Sequence, residues 1–204
     1  VCYEMENAVL DKIGHPRMTR QAHKLNWGMP LFEAILDRAP GVDLTLFGAE
    51  YGPIIREWTD SGKLDAIPRP NFEALDRLLD MGKQLLVLTS RTHEELAHLL
   101  EPDHELASRI GAFYFKDNMD YHKPDPRAFA HIEEAHGWRP EECVYVGDSV
   151  GDASAARGAG LHFVASLESG LRTANDFIEF PGTIFIKTFP EIVDAVQLLD
   201  ESSH

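Results

Sequence analysis

From Pro70 to its end the chain alternates short apolar runs with amphipathic ones, and this alternation constrains the fold more than any other feature. Asn71 to Met81 has the spacing of an amphipathic helix, which Gly82 ends. Gln84 to Thr89 reads as a buried strand, Thr92 to Leu100 as a helix and Ala112 to Phe115 as a short strand. A helix over Pro126 to His136, closed by Gly137, precedes a strand at Cys143 to Val146 and a helix at Gly151 to Arg157. Strands at His162 to Ala165 and Thr183 to Ile186 follow, then a closing helix from Pro190 to Leu199. Short apolar strands joined through helices predict an α/β fold with a Rossmann-like parallel sheet covered on both faces. Ligands in such sheets bind beyond the carboxyl ends of the strands. The polar residues just after each strand are therefore the ones to inspect.

The first 66 or so residues have another character and predict helices only. Met5, Val9, Leu10 and Ile13 share one helix face, and Gly14 and Pro16 end that helix. Helical patterns follow over Thr19 to Asn26, Pro30 to Ala39 and Leu46 to Asp60, with Pro53 marking a break in the last.

A length of 204 residues allows one domain, or one domain with a modest insertion. The net charge of −15 argues against a nucleic-acid or anionic-membrane partner, which would need clustered Lys and Arg. The longest apolar runs, such as Leu85 to Leu88, are too short to span a bilayer. The start, Val1-Cys2-Tyr3-Glu4, does not read as a signal peptide. Cys2 and Cys143 make no disulfide framework; Cys143 is expected as a small buried residue, and a reducing cytoplasm suits the pair.

Three strand ends carry suggestive groups. The first delivers Thr89-Ser90-Arg91, and a later loop holds Lys123 in His122-Lys123-Pro124-Asp125-Pro126. The third delivers Gly147-Asp148-Ser149-Val150-Gly151-Asp152. Two carboxylates four apart at a strand-to-helix turn, with glycines allowing tight backbone, suit Mg²⁺. Asp148 or Ser149 equally reads as a plain helix N-cap. Thr89 is either a cap or a donor to a phosphate oxygen. Lys123 is either solvated or a group that neutralises phosphate charge. The ten histidines show no metal-ligand spacing, and His122 is given no role.

Taken in order, the hydroxyl, the Lys-Pro and the Gly-Asp-x-x-x-Asp resemble motifs two, three and four of the haloacid dehalogenase superfamily. Tyr145 to Asp152, with Ala155-Ala156-Arg157-Gly158-Ala159-Gly160 after it, is similar to the phosphoglycolate phosphatase-like branch. That branch inserts a helical cap after its first motif. The stretch from Asn7 through Gly14, Pro16 and Trp27 to Gly28-Met29-Pro30-Leu31 looks like the start of such a cap. The resemblance implies a cap domain at 1–68 and an α/β core domain at 69–204. It implies metal binding by Asp148 and Asp152, with Asp152 acting through water or a neighbouring group. Thr89 and Lys123 would bind the phosphoryl group and serve catalysis. Ser90 and Arg91 would touch substrate, with Arg91 alternatively a solvated helix-start residue. Trp27, Met29 and the Gly28–Pro30 turn would face the cleft, with Trp27 alternatively packing between cap helices.

The family's first motif, an apolar strand ending in Asp-x-Asp, has no match. Asp11 has Ile13 where the second Asp should be, Asp43 lacks a preceding strand, and Asp117 and Asp120 lie between motifs two and three. The resemblance implies that roughly 20 residues carrying this strand precede Val1, given ordinary strand and turn lengths. It sets that strand between the one ending at Val146 and the one ending at Leu88, so those two should not pair directly. The implied function is Mg²⁺-dependent hydrolysis of a small phosphorylated metabolite through an aspartyl-phosphate, in a cytoplasmic monomer or homodimer. Alternatives on the same scaffold are a sugar-phosphate mutase and a catalytically inactive binding or regulatory protein. A 2-haloacid dehalogenase needs no Mg²⁺, and Asp148 and Asp152 argue against it.

Overall fold

The computed structural model describes residues 1–25 and 31–202. Trp27, Gly28, Met29 and Pro30, expected to face a cleft, lie outside the described residues. The chain forms two compact units, Val1–Ile67 and Pro68–His204.

Among its described residues the first unit contains helices and loops and no strand. Its helices are α1 (Cys2–Lys12), α2 (Arg20–His23), α3 (Leu31–Arg38) and α4 (Leu44–Asp60). Met5, Val9 and Leu10 of α1 pack with Ile35, Phe47 and Ile54 from the later helices. Asp43 caps α4 by accepting from the amides of Thr45 and Leu46, at 2.8 and 3.1 Å. The break expected at Pro53 does not occur, and α4 runs through it. Both Pro53 and Ala49, whose carbonyl the proline leaves without its helical partner, face solvent. Water can therefore satisfy that carbonyl, while the burial of Phe47 and Ile54 keeps the two halves in one continuous helix.

The second unit is α/β. Its elements are α5 (Arg69–Asp80), β1 (Leu86–Leu88), α6 (His93–Leu100), β2 (Ala112–Tyr114), α7 (Arg127–His136) and β3 (Val144–Gly147). Then come α8 (Val150–Ala159), β4 (His162–Ser166), β5 (Ile184–Ile186) and α9 (Ile192–Ser202). Every strand pairing is parallel. β3, β4 and β5 form one sheet in that order, while β1 and β2 form another. β1 and β3 are not paired with each other.

The helices cover both faces of the larger sheet. On one side Ala74 and Leu78 of α5 and Val193 and Val196 of α9 pack on Val144, Val146, Val164 and Ile186. On the other, Phe129 of α7 and Ala153 and Ala156 of α8 pack on Tyr145, Phe163 and Ala165. The alternation of Val144 and Val146 against Tyr145 is the two-residue period of a strand. The alanine-rich face of α8 lets that helix lie close to the sheet, and Gly160 ends it in the left-handed conformation at φ 87°. Cys143 is half-buried rather than buried: it precedes β3, and its thiol donates to the Arg139 carbonyl at 3.4 Å. No helix among the described residues is long and apolar enough to cross a membrane.

Candidate active site

The turn from β3 into α8 sets the third group of sequence-selected residues. Ser149 is the N-cap of α8, and its hydroxyl accepts from the Asp152 amide at 3.1 Å. Asp152 answers by accepting from the Ser149 amide at 3.1 Å and from its hydroxyl at 2.7 Å, both through Oδ2. This reciprocal box satisfies amides that the first helical turn would otherwise leave open. Gly147 is required here by space. A Cβ at that position would lie 2.5 Å from Asp152 Cβ.

With Oδ2 committed to the cap, Oδ1 of Asp152 faces Lys123, whose Nζ donates to it at 2.6 Å. The two side chains are only 13% and 10% exposed. Lys123 reaches the site from the loop after β2, where the Lys123–Pro124 peptide is cis. The same Nζ lies 2.5 Å from the Tyr145 hydroxyl. That hydroxyl donates to the Leu88 carbonyl at 3.1 Å, and Asp152 Oδ1 is 3.4 Å from it. The direction of Leu88 follows from the ladder. Leu85 and Thr89 bond towards β2, through Gly111 and Tyr114, so the carbonyl of Leu88 points away from it.

The Tyr145 phenol thus joins the end of β1 to the Lys123–Asp152 pair. Its pKa is held well above the usual value of 10.0, chiefly by burial and then by the negative charges of Asp152 and Asp148. It is a neutral hydroxyl across the ordinary pH range. The Asp148 carboxylate lies close enough for its charge to be felt there.

The groups at the end of β1 are arranged differently. Thr89 uses its amide to extend the ladder, donating to the Tyr114 carbonyl at 2.9 Å. Its hydroxyl accepts from the Arg91 amide at 3.2 Å. It is not the cap of α6; Thr92 fills that position in a box with Glu95. Ser90 is exposed. The guanidinium of Arg91, just ahead of α6, reaches onto that helix and donates to the Glu95 carbonyl at 2.5 Å. Asp117 serves as an acceptor for the His93 amide at 2.6 Å, which ties the loop after β2 to the start of α6.

The donor set can be tested against Mg²⁺. That ion takes one or two protein carboxylates and keeps several waters. Asp148 supplies a hard oxygen donor at the end of β3, while both oxygens of Asp152 are already engaged. Among the described residues no group of three or more His, Cys, Asp or Glu is clustered. The carboxylates at this turn would fit Mg²⁺ only as part of a shell.

A family model of haloacid dehalogenase-like hydrolases matches residues 12–160. The chain belongs to that family. A phosphoglycolate phosphatase of Nitrosospira multiformis is 30% identical over 131 residues, covering 64% of this chain and 56% of its own length. A phosphoglycolate phosphatase of Xylella fastidiosa is 32% identical over 108 residues, covering 51% of this chain and 46% of its own. The chain thus spans about half the length of the curated relatives it matches. A crystal structure described as a predicted phosphoglycolate phosphatase from Haemophilus somnus aligns with a TM-score of 0.76 at 21% identity. That alignment covers 96% of this chain and 90% of the other. At that identity the match speaks for the haloacid dehalogenase fold alone.

Sequence reading selected Thr89, Lys123, Asp148 and Asp152 but missed Tyr145. A tyrosine inside an apolar strand reads as core, and only the fold brings its hydroxyl to Lys123.

Proposed function

We propose that the protein carrying this chain is a Mg²⁺-dependent phosphatase of small phosphate monoesters, with 2-phosphoglycolate as the first substrate to try. The observation that carries the reading is the nearly buried pair of Lys123, from the loop after β2, with Asp152, at the turn from β3 into α8. It supports a site that gathers the end of β3 and the loop after β2, with Thr89 at the end of β1 as the further member of this reading. The phosphoglycolate phosphatases among the relatives support the substrate class.

In this reading Lys123 supplies positive charge to the phosphoryl group, and Thr89 donates a hydrogen bond to one of its oxygens. Asp152 fixes Lys123 and carries no phosphoryl contact itself. Asp148 holds Mg²⁺, which when bound neutralises charge on the phosphoryl oxygens. Ser90 and Arg91 border the substrate side, with Arg91 held to the first turn of α6 until a ligand offers a better acceptor. The nucleophile is an aspartate on a strand lying between β1 and β3, and the phosphoryl group passes from it to water. The all-helical unit, residues 1–68, acts as the cap.

The test is phosphate release by the full-length protein from p-nitrophenyl phosphate and from 2-phosphoglycolate, with Mg²⁺ and after chelation. Release that needs Mg²⁺ and is lost in Asp148→Asn is expected. No release from either compound with Mg²⁺ present overturns the reading.

A further inference from the structure

The turn that carries Lys123 is short of backbone donors. Pro124 and Pro126 have no amide hydrogen to give. The Asp125 amide donates to the His122 carbonyl at 3.0 Å. One side of the turn rests on α8, where glycines leave room for it. A Cβ at Gly158 would lie 3.0 Å from Pro126 Cβ, and one at Gly151 would lie 3.7 Å from Pro124 Cβ. The other side, towards solvent, is held by side chains.

Arg127, the first residue of α7, closes that side. Its Nε lies 3.1 Å from both carboxylate oxygens of Asp125, and its Nη2 donates to Oδ2 at 2.6 Å. The same guanidinium lies over the Tyr121 ring, 4.0 Å from its centroid. A guanidinium can do both at once, because it donates from its edge and stacks through its face. Tyr121 and Asp125 flank His122-Lys123-Pro124, so one side chain grips both ends of the turn. Its own base is firm, since Ala128, Phe129 and Ile132 of α7 are buried. The Asp125 contact is local. That carboxylate also accepts from the Arg127 amide at 2.9 Å, as at many helix starts. The Tyr121 contact is the one that crosses the turn.

From this geometry we infer that Arg127 is a positioning residue for Lys123, closing the turn from Tyr121 to Asp125 so that the ammonium stays on Asp152. The clasp lies within residues 121–127 and uses neither β1 nor β3. The inference rests on the phosphatase reading for its effect on turnover, though not for its effect on Lys123. A long, flexible side chain is placed only as well as the backbone that carries it. A small displacement of a charged group costs most in the transition state. Loosening the clasp should therefore lower kcat and leave KM nearly alone.

Three substitutions in the full-length protein separate the contacts. Arg127→Met removes both, Tyr121→Ala removes the one that crosses the turn, and Tyr121→Phe keeps the ring face. The first readout is kcat and KM for p-nitrophenyl phosphate with Mg²⁺. The expected fall in kcat is roughly fivefold to tenfold in Arg127→Met and roughly threefold in Tyr121→Ala, with KM within about twofold. Tyr121→Phe should match the wild type. The melting temperature should barely move, since the Arg127 side chain is 62% exposed. The second readout is the rate of reductive methylation of Lys123, followed by mass spectrometry, which needs no enzymatic activity. Labelling severalfold faster in Arg127→Met and Tyr121→Ala, and unchanged in Tyr121→Phe, is expected. Wild-type labelling in either of the first two overturns the inference, as does a wild-type kcat in Arg127→Met or a change confined to KM. Tyr121→Phe behaving like Tyr121→Ala overturns it too, because the ring face would then not be the contact. If the wild type releases no phosphate, the phosphatase reading fails, and the labelling comparison still decides the role of Arg127.

Discussion

Lys123 Nζ and Asp152 Oδ1 are 2.6 Å apart, and the side chains that carry them are almost out of water. A pair so placed is more costly to break than to keep, because the surviving partner is left with an uncompensated charge. Asp152 has a second commitment, to the Ser149 amide and hydroxyl, so the pair also sets the start of α8.

That double role makes the first prediction. Asp152→Ala should cost about 3 kcal/mol or more, from loss of the ion pair and of the helix cap together. Lys123→Ala removes the pair and the Tyr145 contact but leaves the helix cap in place, and should cost less. In a double-mutant cycle by urea denaturation the two changes should couple by about 1–3 kcal/mol. Additive effects would mean that the ion pair does not form in solution.

Two glycines of the same turn should respond in opposite senses. A Cβ at Gly147 would sit 2.5 Å from Asp152 Cβ and 2.7 Å from its Cγ, with no room to yield on the strand side. Gly147→Ala should destabilise by about 1–3 kcal/mol as α8 is pushed from the sheet. At Gly151 the nearest atoms would be Ser149 Oγ at 3.6 Å and Pro124 Cβ at 3.7 Å, which is ordinary contact. Gly151 lies inside α8, so Gly151→Ala should be neutral or stabilising by less than about 1 kcal/mol. Denaturation midpoints of the two variants, compared side by side, check the contrast.

The helical unit holds a buried ion pair of its own. Arg38 Nη1 donates to both carboxylate oxygens of Glu6, at 3.0 and 3.1 Å, and its Nε donates to the Leu25 carbonyl at 2.9 Å. Glu6 and Arg38 are 3% and 4% exposed, and His23 Nε2 lies 3.4 Å from the same carboxylate. Removing one partner, as in Arg38→Met, should cost about 3–5 kcal/mol. The paired change Glu6→Leu with Arg38→Met should recover most of that loss, since no lone charge remains. A double variant less stable than Arg38→Met alone would show that the pair does more than neutralise itself.

How much of this was legible in the sequence depends on the range of the interaction. The strands and helices of the second unit follow from periodicity, because a strand buried on both faces must be short and apolar and a covering helix must be two-faced. Asp148, Asp152, Lys123 and Thr89 stand out because they follow strands. What they bond to is not local. The partner of Lys123 is 29 positions away, and the Tyr145 hydroxyl reaches a carbonyl 57 positions away. Ser149 could be read as a cap, and it is one. Pro53 was misleading because a proline breaks a helix only when its neighbours cannot tolerate an open carbonyl, and burial is not written in a single residue.

Glu133 of α7 supplies a prediction in pH. Its Oε1 is buried with no hydrogen-bond partner among the described residues, and burial raises its pKa above the ordinary 4.5. The cause is desolvation, which penalises the charged form. The sign follows by linkage. Between 4.5 and the raised folded value the unfolded chain has already released its proton while the folded chain retains it. Stability from this group is therefore full at low pH and falls as pH rises through that window. Above it the folded protein bears the whole cost of a poorly hydrated carboxylate. Glu133→Gln keeps the shape and removes the ionisation. It should be more stable than the wild type at pH 7, and the difference should shrink towards pH 4. Urea denaturation of both proteins at the two pH values reads this directly. No gain from Glu133→Gln at pH 7 would mean that the carboxylate finds water or a cation when it ionises.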